Sequence, residues 1–148
     1  MTHCQFQQEL DTIIVQGDAK TLVDTALKIA EQMIQKNPGG FVKEVTSVST
    51  SQIRNIYGSS KRIEMSLDEK NAPEMYKKLI LLKPKMAYAN GRFNKPLGRG
   101  QYKIPGFKTL VDCLSYAIDK IEGDYQRMKN FFNFFEAILA YHKAEGGK

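Results

Sequence analysis

Nine Lys and Arg residues lie between Met75 and Val111 with no Asp or Glu among them: Lys77, Lys78, Lys83, Lys85, Arg92, Lys95, Arg99, Lys103 and Lys108. Clustered cations without competing carboxylates are what neutralising a phosphate backbone requires. A solvated helix face normally mixes the two signs. Lys78, Lys85 and Arg92 stand seven residues apart, a step that returns to within about 20° on a continuous helix. They follow one edge of an apolar stripe, Met75, Leu79, Leu82, Met86 and Ala89, and Lys83 falls on the opposite edge. Cations at such a border pack their stems and keep their heads in water. A merely soluble basic face is the competing reading. With complementation of the helix dipole it accounts for Arg92, but less well for Lys78, Lys83 and Lys85. Arg54 stands near a helix start, where its charge opposes the dipole. The hydroxyls of Ser49, Thr50 and Ser51 beside it suit either phosphate binding or simple helix capping. Lys61, further along the same helix, joins this set of candidate contacts.

Other chemistry is hard to assemble. There are two histidines and two cysteines. His3 is near the terminus, and His142 sits at the edge of an apolar helix face, where a structural role is expected. Cys4 and Cys113 form neither a disulfide framework nor a metal-ligand spacing, and Cys113 reads as a packing residue. No phosphate-binding loop of the Walker form is present, since Gly98-Arg99-Gly100 is too short. The acidic residues recur in no metal-binding pattern. No catalytic residue, metal or cofactor is assigned.

The elements that must position the cations read as helices. Phe6, Leu10, Ile13 and Ile14 mark one over about residues 5–16, stopped at Gly17. Asp18 caps a second, with Leu22, Ala26, Ile29, Ala30 and Met33 on one face. Asn37-Pro38-Gly39-Gly40 ends it, and residues 41–48 are expected to be extended loop. The next helix starts after Ser49 and carries Ile53, Ile56, Tyr57, Ile63 and Met65. Asn71-Ala72-Pro73-Glu74 starts another, which Pro84 should kink or divide. Gly91 to Gly106, with four glycines and two prolines, is expected to be a basic loop, and no strand pair with hairpin chemistry is apparent. Phe107, Leu110, Val111, Leu114, Ile118 and Ile121 define a helix ended by Gly123. Asp124 caps the last, with Met128, Phe131, Phe132, Phe135, Ile138, Leu139 and His142 on its apolar face. The spacing of these phenylalanines assigns them to core or subunit interface rather than to base stacking.

The fold expected is all-α, a compact bundle of five or six helices with a basic Gly/Pro-rich loop. The 148 residues suit a single domain, with residues 1–40 as N-terminal helices and 41–148 as the RNA-binding and packing core. The net charge of +6 is unevenly placed: −2 over residues 1–40, +9 over 41–110 and −1 over 111–148. The polyanion-seeking surface is therefore central. No apolar run approaches the roughly 20 residues needed to span a bilayer. No secretory signal is read in Met1 to Gly17, so a cytoplasmic location is expected.

Three segments, SQIRNIY (51–57), LILLKPKMAYANGR (79–92) and FNFFEAILAYHK (132–143), occur in an order and at separations that resemble the small subunit of the type III-A CRISPR effector, the Csm complex. The resemblance covers about residues 41–145. It implies a small helical, non-catalytic protein in an antiviral ribonucleoprotein. Copies stack into a filament beside the backbone subunits and line the channel that holds guide RNA and target RNA. Matched motif by motif, Ser51 and Arg54 correspond to the family's polar helix start. Lys83 and Arg92 flank its aromatic-alanine-glycine-arginine segment, and Lys143 follows its alanine-tyrosine pair. Lys85 falls at a variable position. Asn90 replaces a commonly small residue, and the 93–106 loop is longer than the pattern. With Lys61 and Lys78 from the charge pattern, these residues make up the expected RNA-backbone contacts. A helical adaptor whose basic surface meets acidic proteins is the alternative. A duplex-DNA regulator is a third reading, weakened by the absence of a clear helix-turn-helix.

Overall fold

The computed structural model of the chain describes residues 4–148, so His3 lies outside the described residues. Helix α1, Gln7–Asp11, runs directly into a π-helical turn, Thr12–Gln16, and both stop at Gly17, as the spacing predicts. Helix α2, Ala19–Met33, is capped by Asp18, whose carboxylate accepts from the Thr21 backbone N–H at 3.0 Å and from the Thr21 hydroxyl. Its expected face is inside: Ala26, Ile29, Ala30 and Met33 are fully buried, and Leu22 packs half-buried against the core.

Two long C-terminal helices, α6 (Pro105–Ile121) and α7 (Tyr125–Ala144), complete this half of the molecule. The principal neighbours of α2 are α7 and α6, while α1 leans on α6 and the π turn on α7. Phe107, Phe131, Phe134 and Phe135 are buried to 1% exposure or less. Each large apolar side chain so placed contributes roughly 1.5–3 kcal/mol. The phenylalanines of α7 therefore belong to the core of one chain. Polar pins fix the packing. Asn130 Nδ2 donates to Ile14 O at 2.9 Å, and the Tyr116 hydroxyl donates to Asp11 Oδ1 at 2.8 Å. The His142 ring is buried with Nε2 2.7 Å from Val48 O, which is the structural role expected of it.

Gly106 makes a close backbone-to-backbone approach. A Cβ there would lie 2.3 Å from Gln32 O and 2.5 Å from Met33 Cα. Only a residue without a side chain lets the first turn of α6 rest on the last turn of α2.

The other half is α3 (Thr50–Ser66), α4 (Ala72–Ile80) and α5 (Leu82–Phe93). Helix α3 opens with a reciprocal capping box: Ser49 Oγ accepts from Gln52 N at 3.3 Å, and Gln52 Oε1 accepts from Ser49 N at 2.9 Å. It docks on α7 through an edge-to-face contact of Tyr57 and Phe135, with ring centroids 5.3 Å apart. The Tyr76 hydroxyl donates to Ile118 O at 2.8 Å and ties α4 to α6. Helices α4 and α5 form one rod broken at Leu81, which makes six rods among the described residues. The break lies three residues before Pro84, because the proline ring and missing N–H act on the carbonyl of residue 80. Leu81 keeps a near-helical backbone, φ −70° and ψ −10°, so the apolar stripe from Met75 to Ala89 stays buried on both sides of the break.

Three expectations need correction. Met65 is 77% exposed. It lies two positions beyond Ile63, about 200° around the helix, and so points away from the core. The segment 91–106 is shorter as a loop than expected, since α5 continues to Phe93 and α6 begins at Pro105. Between them stands a small antiparallel hairpin, β1 (Pro96–Gly98) and β2 (Gln101–Tyr102). Its central residues Arg99 and Gly100 take φ of 54° and 75°. Positive φ at both positions matches the twist of a two-residue hairpin loop. The hairpin is closed at its base by Asn94, whose buried amide accepts from Ile104 N at 2.7 Å and donates to Ile104 O at 2.8 Å.

Candidate nucleic-acid interface

The step of seven residues places Lys78 and Lys85 on one side of the α4–α5 rod, and the near-helical geometry at Leu81 keeps them aligned across the break. Opposite them runs α3. Between the two lies a groove formed by adjoining depressions of about 390 and 520 Å³, which share Ser59, Arg62 and Lys85. The first is lined by Lys78 and the second by Arg92, so Lys78, Lys85 and Arg92 come together as the spacing predicts. No carboxylate lines either depression. Gln52, Asn55 and Ser59 supply polar groups from α3, and Tyr88 stands exposed on α5.

Arg62 also belongs to this groove. Its guanidinium donates to Ser59 Oγ at 3.1 Å and faces the lysines of the opposite rod. The charge pattern along the chain does not single it out, since it comes to Lys78 and Lys85 only when α3 packs on α4 and α5. Arg92 is held by the Phe93 ring, 5.5 Å from guanidinium carbon to centroid.

Ion pairing divides the expected residues. Lys61 Nζ lies 3.2 Å from Glu64 Oε1, one helical turn along α3, and this carboxylate raises the lysine above its ordinary pKa through the hydrogen bond and its charge. Lys83 Nζ donates to Asp119 Oδ1 on α6 at 2.6 Å. The acid-free stretch around Lys83 thus finds its carboxylate 36 residues away in sequence. Among the described residues, Arg54, Arg62, Lys78, Lys85, Arg92 and Lys143 enter no ion pair.

Arg54 and Lys143 occupy a separate, smaller cleft of about 300 Å³ between the first turns of α3 and the end of α7, with Thr50, Tyr57 and Leu139. Ser51 Oγ is 3.1 Å from Ser49 Oγ at the head of the same helix. The eight expected residues are therefore distributed over the α3/α5 groove (Lys78, Lys85, Arg92), the α3/α7 cleft with its neighbouring helix start (Arg54, Lys143, Ser51) and two ion-paired positions (Lys61, Lys83). The hairpin cations Lys95, Arg99 and Lys103 are exposed and line neither depression. Cys4 and Cys113 are buried free thiols beside one another, and the Cys4 contact together with burial pushes the Cys113 thiol well up, which keeps it neutral.

The model of the family described as Csm2 Type III-A matches residues 16–148. That span contains α2 to α7, and with them the groove and the cleft. No curated protein and no solved structure gives a significant match.

Proposed function

This chain belongs to the Csm2 Type III-A family, the small subunit of the type III-A CRISPR (Csm) complex, and on that premise we propose that it grips RNA within the complex by its sugar-phosphate backbone. The observation that carries the reading is the convergence of Arg62, Lys78, Lys85 and Arg92 on one groove with no carboxylate in it. Each cation can neutralise a phosphate, whatever the base attached to it. The subunit then contributes affinity and position, while base pairing between guide RNA and target RNA reads the sequence. It has no catalytic role in this scheme. Copies of the chain associate in a filament beside the other subunits of the effector, in the cytoplasm. The Arg54–Lys143 cleft, with Ser51 at the helix start above it, serves as a second backbone contact. The whole chain acts as one helical domain, and α1, α2, α6 and α7 carry its packing.

The test is capture of the tagged, assembled subunit from cells carrying the complete effector. Small RNAs of uniform 5′ sequence co-purify, and RNase treatment releases a large part of the associated material. A capture that is free of guide RNA and unchanged by RNase would reject the RNA reading and favour a protein-binding adaptor.

A further inference from the structure

Charge neutralisation leaves one side chain of the groove unused. Tyr57, Tyr76, Tyr116, Tyr125 and Tyr141 all pack against the core, and two of them donate hydrogen bonds within it. Tyr88 does neither, and 70% of it is exposed. It stands on α5 three residues after Lys85 and four before Arg92, which puts all three on one helix face. The two cations flank the ring along about 10.5 Å of helix axis. Asn55 of α3 lines the same depression across from it.

A cation, an exposed aromatic face and a second cation in line match the repeat of a single strand, which offers phosphates with a base between them. An acidic peptide would satisfy the cations and leave the ring without a complementary surface. A duplex would also leave it unmet, because its bases are already stacked on one another. We infer that Tyr88 is a stacking platform for an unpaired nucleobase, held between phosphate contacts at Lys85 and Arg92. Every base has a π face, so the contact is tolerant of sequence. The inference rests on the RNA-gripping reading and adds to it a preference for nucleotides displaced from a helix.

The experiment uses the full chain with two probes of equal length: a single-stranded RNA carrying a fluorescent adenine analogue, and the corresponding blunt RNA duplex. The wild-type chain binds the single strand more tightly and quenches the analogue. Tyr88→Ala, at an exposed helical position that alanine suits, weakens single-strand binding by about 5- to 150-fold, the range for loss of one stacked base. It leaves duplex affinity and the salt dependence of binding unchanged, and Tyr88→Trp restores both affinity and quenching. The double variant Lys85→Ala, Arg92→Ala weakens both probes and flattens the salt dependence. Stacking is overturned, with backbone binding intact, if Tyr88→Ala matches wild type in affinity and quenching while the double variant is impaired. If the wild-type chain binds neither probe, stacking and the RNA reading fall together.

Discussion

Unpaired cations can be counted by salt. For a single strand, the logarithm of affinity falls with the logarithm of salt by about 0.7 for each phosphate neutralised. If Arg62, Lys78, Lys85 and Arg92 each engage one phosphate, the slope is about −2.8. Affinity then falls about 50-fold between about 50 and 200 mM salt. Neutralising Lys78 and Lys85 to Gln halves the slope to about −1.4 and reduces that fall to about 7-fold. Neutralising Lys61 and Lys83 to Gln removes the same formal charge from side chains that already hold Glu64 and Asp119. That variant should keep a slope near −2.8, because a paired ammonium releases few counterions from RNA. The assay is fluorescence anisotropy of a labelled single strand across a salt series, with helical circular dichroism confirming the fold of each variant. Equal flattening by the two pairs would show that net charge rather than the groove governs binding, and the argument from ion pairing would fail. A wild-type slope nearer −4.2 would mean that Arg54 and Lys143 bind phosphate as well.

Two further outcomes follow from the packing. Gly106→Ala drives a methyl into the α2 backbone, 2.3 Å from Gln32 O, so α6 must shift; overpacking of this kind costs about 1–3 kcal/mol, and thermal unfolding should show a midpoint lowered by several degrees, whereas an unchanged midpoint would refute the contact. Lys83→Glu opposes Asp119 and should destabilise the fold by no more than about 1 kcal/mol, since the Lys83 and Asp119 side chains are 32% and 53% exposed. Adding Asp119→Lys should recover that loss in denaturant unfolding, and a double variant no more stable than Lys83→Glu alone would argue against the pair.

What was legible in the sequence was mostly local. The stripe from Met75 to Ala89 and the cations at its edge lie within one rod, so a helical period is enough to place them. The caps at Asp18, Ser49 and Asp124 are equally local, each satisfied by a residue three positions on. The hairpin was not legible, because Arg99-Gly100 lacks the usual Asn-Gly or Asp-Gly signal and the flanking strands are too short to alternate. The site was only half legible. Lys83 and Lys85 look alike in a run without acids, and Asp119 distinguishes them only after α6 has packed on α5. Arg62 carries the converse lesson: it belongs to the groove through the neighbour of its helix.

The position of α2 between α6 and α7 has a consequence for synthesis. The two helices that cover its apolar face begin at Pro105 and Tyr125, long after α2 itself ends at Met33. At about 5–20 residues per second, translating the roughly 100 residues between them takes on the order of 5–20 s. For that interval Ile29 and Met33 lack their final neighbours, and loop closure must precede the reward of burial. The chain's first helices are thus among the last to be locked in place. The groove-forming helices α3 to α5 emerge earlier, and they gain a floor only when α6 and α7 have been made and pack against them.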